Sequence, residues 1–253
     1  MSSHKPISLR RTHSLTIKQL AKTKLFQNVS PRTLKDLVKD GEVNLSTLDA
    51  STPLVLRVSN VDYLYVIRSG YLEVRLFSSL IKKGKSFLLA FRGPDQIVGE
   101  MSAIAQQSSV AFISCSEPCQ LIQIRSSALE RAAEKDWRIY RNIASLLIEK
   151  TLQERKRIEV SLMKEGEAQV AQALLNFWNE RGAETCPKGG KMIRGIVRHR
   201  DLADYIGSDR STVGKHLSEL KKEGVIWYPS RGQSPNRLTI LDVPTLQRKA
   251  LAR

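Results

Sequence analysis

Residues 198–224 read RHRDLADYIGSDRSTVGKHLSELKKEG, and the architecture of the chain is clearest here. A short helix with Leu202, Ala203 and Ile206 as its apolar positions stops at Gly207. A second helix starts at once, N-capped by Ser208, and buries Val213, Leu217 and Leu220 before Gly224 ends it. Two short helices, a glycine turn and an apolar stripe that leaves one face of the second helix polar make the helix-turn-helix pattern. The polar face carries Asp209, Arg210, Ser211, Thr212, Lys215 and His216 on its first two turns, the end that enters a major groove. Arg210 has the fork to take guanine O6 and N7 together, worth about 1–3 kcal/mol of discrimination. Ser211 and Lys215, one turn apart, can read a base edge or neutralise phosphate, and Thr212 suits a phosphate contact that sets register. Asp201 and Asp204 on the first helix have no partner base in the sequence and read as solvated surface.

On the C-terminal side, Val225–Tyr228 and Arg237–Leu241 predict two strands joined by Pro-Ser-Arg-Gly-Gln-Ser-Pro-Asn, a β-hairpin wing with Arg231 at its tip near the DNA backbone. Upstream, residues 165–181 predict an amphipathic helix with Val170, Leu174, Leu175, Phe177 and Trp178 as core. Gly182–Gly190 then reads as a loop and Lys191–Val197 as a short strand. From 126 to 163 no proline or glycine interrupts a helical pattern. Tyr140, Ala144, Leu147, Thr151, Glu154 and Ile158 recur at spacings of four and three, with Ile143 and Leu146 widening the stripe. That is the rhythm of a coiled-coil seam, longer than one small domain can cover, so the chain is expected to pair with a second copy.

The text before residue 126 changes character. Ser30-Pro31 reads as N-cap and first turn of a helix with Leu34, Leu37 and Val38 on one face. After Gly41 come short β-like runs: Pro53–Val58, Asp62–Arg68, Gly70–Phe77, Phe87–Phe91, Val110–Cys115 and Gln120–Ile124. Ser69-Gly70, between two alternating runs, predicts a tight hairpin. Strands at this short, even spacing imply an antiparallel barrel or sandwich.

The 253 residues carry 41 Lys and Arg against 25 Asp and Glu, a net +16 with pI ≈ 10.0. Such a balance favours polyanionic partners. The excess sits at the two ends: residues 1–30 hold six basic residues and no acid, and residues 161–253 carry +6. Residues 1–19 are expected to be a basic flexible arm. Three cysteines (Cys115, Cys119, Cys186) are too few and too odd in number for a disulfide framework. Cys115 and Cys119 read as small barrel residues, with too few ligands nearby for a metal. No uncharged apolar run approaches the ~18 residues of a membrane span and no apolar segment follows Met1, so a cytoplasmic protein without membrane contact is expected. The chain contains no G-x-S-x-G, no Walker loop and no zinc-type His/Cys spacing, and His199 and His216 both fall inside the DNA-facing motif. Nothing here reads as catalytic, and no cofactor or metal is implied.

The order of barrel, long helix and winged helix resembles the CRP/FNR family of bacterial transcription regulators over about residues 20–250. Four stretches carry the resemblance: Leu25-Phe26 with Val29-Ser30-Pro31, Tyr65–Val74 (YVIRSGYLEV), Gly93-Pro94-Asp95 with Val98-Gly99-Glu100, and Arg210-Ser211-Thr212-Val213-Gly214-Lys215. It implies an α+β protein: an antiparallel jelly-roll barrel of the cyclic-nucleotide-binding type over 20–125, a dimerisation helix over 126–163, and a winged helix-turn-helix over 164–253. It also implies a homodimer on pseudo-palindromic double-stranded DNA, acting on RNA polymerase at promoters when the barrel senses a signal.

Two departures matter. In nucleotide-binding members Gly-Glu opens a phosphate cassette, matched here by Gly99 and Glu100, and a downstream Arg-Ser pair binds the cyclic phosphate. This chain has Ser108-Ser109, without the arginine. Losing that charge forfeits a contact worth about 1.5–3 kcal/mol, so a conventional cAMP site is not expected. A rebuilt phosphate pocket using the two serines stays open as an alternative, as does a non-specific nucleic-acid binder. The oxygen-sensing branch needs N-terminal cysteines, and residues 1–114 contain none. In the reading helix many members carry glutamate where Ser211 stands and arginine where Lys215 stands. Without the carboxylate an acceptor for cytosine N4 is gone, which implies a different half-site.

Overall fold

The computed structural model describes residues 10–13, 15–39, 41–58, 61–76, 87–107, 111–164, 166–186, 189–229 and 237–252. Its first half runs β1 (Arg10–His13), α1 (Ile17–Ala21), a 3-10 turn (Lys24–Phe26), α2 (Pro31–Lys39), β2 (Val43–Leu48), β3 (Arg57–Val58), β4 (Val61–Ser69), β5 (Leu72–Leu76), β6 (Phe87–Arg92), β7 (Ile97–Val98), α3 (Glu100–Ala103), β8 (Ala111–Cys115) and β9 (Cys119–Arg125). Helices α4 (Ser126–Lys135), α5 (Arg138–Ser161) and α6 (Glu167–Arg181) follow. The chain closes with β10 (Ala183–Thr185), β11 (Lys191–Ile193), α7 (His199–Ile206), α8 (Arg210–Lys222), β12 (Ile226–Trp227), β13 (Thr239–Ile240) and α9 (Val243–Leu251). Two compact units result, Met1–Val74 with Arg92–Thr151, and Arg75–Phe91 with Leu152–Arg253. The second unit therefore takes in a piece of chain that sequence order assigns to the barrel.

The first unit is built on the antiparallel sheet β1-β2-β9-β4-β3, with β7 also on β4. Ile122 and Ile124 lie opposite Leu45 and Val43 on one side and Val66 and Leu64 on the other. Alternation therefore puts one face of the sheet in a core with Leu20, Leu25, Phe26 and Leu34 from the helices before it. Strands β6, β5 and β8 form a separate sheet. Helix α2 begins as the sequence predicts: Ser30 Oγ accepts the Thr33 N–H at 3.2 Å, and Pro31 is the first helical residue.

Several expectations change. Ser69-Gly70 does not close a hairpin, because β4 and β5 belong to different sheets and Gly70 turns the corner between them. Its φ of +85° and the Cys119 sulfur, 2.5 Å from where a Cβ would stand, leave room for glycine alone. The single helix expected over 126–163 is two helices. At the break Asp136 is extended (φ −143°), and its buried carboxylate accepts the Ser30 N–H (2.8 Å) and the Arg138 N–H (3.2 Å). Those bonds, Ser30's foremost, hold its carboxyl below the ordinary carboxylate range. Within the expected basic arm, Arg10–His13 pairs antiparallel with β2, and Thr16 caps α1 in a reciprocal box with Gln19. Within the expected loop 182–190, Ala183–Thr185 pairs with Lys191–Ile193.

In the second unit α6 is the central helix. Val170, Leu174 and Phe177 share one core with Leu202, Ile206, Val213, Leu217 and Leu220, and Leu88 and Phe91 complete it. Sheet β10-β11-β13-β12 closes the unit, and its β12–β13 pairing (Ile226↔Ile240) is the base of the wing.

Candidate nucleic-acid interface

Helix α7 ends because Gly207 turns left-handed (φ +75°), and its N–H and that of Ser208 both return to the Ala203 carbonyl. Ser208 is thereby held in the turn and does not cap the second helix. Asp209 is the N-cap residue of α8, with its carbonyl accepting the Val213 N–H at 3.0 Å and its side chain making no cap bond. Helix α8 then buries Val213, Leu217 and Leu220 and turns Arg210, Ser211 and Lys215 outward, all exposed. Thr212 is half-buried beside them. His216 is half-buried as well, with Nδ1 2.9 Å from Glu219 Oε2 one turn on, so its ring is engaged within the helix. Arg231 lies outside the described residues.

His199, at the start of α7, is a further member of this face. Its ring meets Tyr228 edge-on at 5.1 Å, and burial, then the neighbouring Arg210 charge, pushes its pKa below the ordinary 6.5. Above pH 6.5 both folded and unfolded chains carry the neutral ring, and its full contribution to stability is present. As pH falls below 6.5 the unfolded chain takes up the proton first, so stability is lost. The melting temperature is therefore expected to drop between pH 7.5 and about 5.5, and His199→Gln to flatten that slope; an unchanged slope in calorimetry would show another group responsible. The sequence hides this role, since Tyr228 is distant along the chain. Arg198 and Arg200, both exposed, add charge at the same end of α7.

Asp201 and Asp204 are not solvated surface. Asp201 is 1% exposed, and its Oδ1 accepts Arg75 Nη2 at 2.5 Å. Asp204 Oδ2 accepts Arg75 Nη1 at 2.8 Å. Burying a cation is tolerable only when it is paired, and the second carboxylate and fork geometry complete the pairing.

In the first unit, Gly99 is left-handed (φ +90°) and leads into α3, with the Tyr63 carbonyl only 2.5 Å from where a Cβ would stand. Close backbone approach alone thus demands glycine here. Glu100 is mostly buried and ion-paired with Lys150 of α5. Ser108 and Ser109 lie outside the described residues. All three cysteines are free and buried. The thiols of Cys115 and Cys119 contact each other, and hydrogen bonding from Cys119 holds the Cys115 thiol below its ordinary pKa while Cys119's is raised. Among the described residues no cluster of three or more His, Cys, Asp or Glu side chains could hold a metal.

On α5 the expected seam splits. Ile143 and Leu146, expected on the seam, are buried in the core of the first unit. Tyr140, Ala144, Thr151 and Ile158 are exposed and Leu147 is half-buried. Ile148 and Leu152, absent from the expected seam, are exposed apolar residues of the same stripe. Their signal is the i+4 spacing of 140, 144, 148 and 152, which the sequence does contain.

No helix among the described residues is long and apolar enough to cross a membrane. Residues 37–136 match the cyclic nucleotide-binding domain family model, and residues 168–249 match the Crp-like helix-turn-helix domain model. The chain is 28% identical to the cyclic AMP receptor protein of Thermus thermophilus over 163 residues, 64% of this chain and 70% of that one. It is 21% identical to the anaerobic regulatory protein of Bacillus subtilis over 187 residues, 74% and 76% of the two chains. In fold it is similar to FixK2 from Bradyrhizobium japonicum, with a TM-score of 0.67 at 17% identity over 83% of this chain and 98% of that one. A CRP/FNR-family transcriptional regulator from Thermus thermophilus gives 0.65 at 20% identity, covering 83% and 99%. With a cyclic nucleotide-binding domain followed by a Crp-like helix-turn-helix, this chain belongs to the CRP/FNR family of transcription regulators.

Proposed function

We propose that the protein is a homodimer that binds a pseudo-palindromic promoter site through α8 and acts there on RNA polymerase. One observation carries the reading: the opening turns of α8 expose Arg210, Ser211 and Lys215 while its opposite side is locked into the core by Val213, Leu217 and Leu220. A helix anchored on one side and presenting a guanidinium, a hydroxyl and an ammonium on the other is shaped to enter a groove and read it. The exposed stripe on α5 supports pairing of two copies. Arg210 reads a guanine, Thr212 sets register on phosphate, and Ser211 and Lys215 define a half-site of their own.

Selection of a preferred duplex from a random pool, followed by titration of Arg210→Ala, tests this. The variant is expected to lose about 1–3 kcal/mol per half-site and to relax preference at one base pair in each. An equal loss on every sequence would make Arg210 a phosphate contact.

We infer further that the barrel does not hold a cyclic nucleotide in the conventional way. The carboxylate that a nucleotide's ribose would use, Glu100, is already ion-paired with Lys150. Titrating the protein with cAMP and with cGMP by calorimetry is expected to give flat traces; saturable micromolar binding would favour the rebuilt pocket.

A further inference from the structure

The second unit contains a piece of chain, Arg75–Phe91, that lies within the stretch matching the nucleotide-binding domain. Two of its aromatic residues are held by stacked guanidinium groups: Arg157 lies 4.0 Å over Phe87 and Arg181 3.4 Å over Phe91. Its first residue does something different. Arg75, itself 5% exposed, spans Asp201 and Asp204 on α7. These carboxylates are three residues apart and so share a helix face, one turn from each other. The other oxygen of Asp201 accepts the Arg198 N–H at the start of α7, so the same carboxylate also fixes where the helix begins.

Apolar packing alone leaves a short helix free to rotate a little about its axis and slide along it, because hydrophobic contact has no preferred direction. A planar fork tied to two points one turn apart blocks both movements. Buried ion pairs add little net stability over an apolar replacement, so what this one contributes is geometry. Helix α7 in turn seats α8: Leu202, Ala203 and Ile206 share the core with Val213 and Leu217, and His199 Nδ1 lies 3.9 Å from where a Cβ on Gly214 would stand.

We propose that Arg75 is the positioning residue of the reading helix: by spanning Asp201 and Asp204 it sets the orientation of α7, and through α7 the angle at which Arg210, Ser211 and Lys215 meet DNA. This rests on the DNA-reading function proposed above. It gives a residue outside the helix-turn-helix a part in sequence discrimination without contact to DNA.

The test compares the full-length wild type with Arg75→Met, with Arg75→Lys, and with the neutral triple variant Arg75→Met, Asp201→Asn, Asp204→Asn. Each is melted by calorimetry and titrated with the selected duplex and a scrambled one at fixed salt. Arg75→Met strands the buried Asp201 carboxylate and leaves Asp204 only the more distant Arg200, at 3.7 Å, and is expected to lower both melting temperature and affinity for the selected duplex. The triple variant removes both carboxylate charges and is expected to regain the melting temperature to within about 2–4 °C. Its ratio of selected to scrambled affinity should nonetheless stay at least about tenfold below wild type, the size of one lost base readout. Arg75→Lys keeps the charge but cannot span both carboxylates, so it too should fold and show a reduced ratio. This variant decides the matter if the triple fails to refold.

Recovery of the full ratio together with the melting temperature would make Arg75 a charge neutraliser only. A wild-type ratio in Arg75→Lys, or a selected-duplex affinity above wild type in any variant, would equally overturn the proposal, the last by making the clamp inhibitory. If the wild type itself showed no preference between duplexes, the DNA-reading function would have failed instead.

Discussion

Replacing Ile148 and Leu152 together by glutamate is expected to leave the chain folded but to break the proposed homodimer, and to lower affinity for a two-fold operator about 10²- to 10⁴-fold. The two residues are 61% and 51% exposed, so charging them removes little from the single chain's own packing. In a symmetric helix pair each would face its own copy or a close neighbour, and four carboxylates would crowd a seam that has to exclude water. The loss in DNA binding follows from linkage. Once one half-site is filled, a dimer presents its second reading helix at an effective concentration near millimolar, an advantage a monomer lacks. Sedimentation and titration on full and half operators check this together: the variant should sediment as a monomer and bind a single half-site as well as wild type does. A variant that remained dimeric would move the seam off this face of α5.

Phe177→Ala is expected to cost the second unit about 3–5 kcal/mol, a large part of an ordinary domain's stability. Phe177 is fully buried in α6 and packs edge-on against Phe91 (5.1 Å) and Tyr205 (4.7 Å). Truncation leaves a cavity walled by two rings that cannot both collapse into it, because Phe91 is also stacked under Arg181. Since Tyr205 belongs to α7, the helix-turn-helix loses its support from behind, and DNA binding should fall with the folded fraction. A urea titration of wild type, Phe177→Ala and the milder Phe177→Leu checks the order; a loss under about 1 kcal/mol for the alanine variant would mean that the core closes over the gap.

Both expectations involve residues that the sequence makes visible as apolar while leaving their partners unnamed. Phe177 is legible as a core position of a helix, but Phe91, far upstream, is not legible as its neighbour. The same limit explains the misreadings. Asp201 and Asp204 look like solvated charges because their cation sits well over a hundred residues away on β5. Ile143 fits the seam's spacing as well as Ala144 does, and only the docking of α5 on the first unit's core turns it inward. Ser69-Gly70 has the composition of a hairpin, yet a corner between two sheets demands the same glycine. The helix break at Asp136 carries neither proline nor glycine. It is drawn by a hydrogen bond to Ser30 that no local rule contains.

Features that depend on neighbours within a turn or a strand are written in the residues themselves: the amphipathic stripes of α6 and α8, the Gly207 turn between α7 and α8, the Ser30-Pro31 start of α2, and the basic balance. They rest on backbone preference and short-range periodicity, which a single stretch of text specifies. It takes the folded chain to bring Arg75 to two aspartates of the helix-turn-helix, to set Lys150 on Glu100, to seat His199 between Tyr228 and Arg210, and to leave Ile148 and Leu152, not Ile143, exposed. Each of these joins residues distant in the chain or depends on how a whole helix docks. Such contacts are set by the packing of entire elements and by the need of every buried charge for a partner, which no local pattern records.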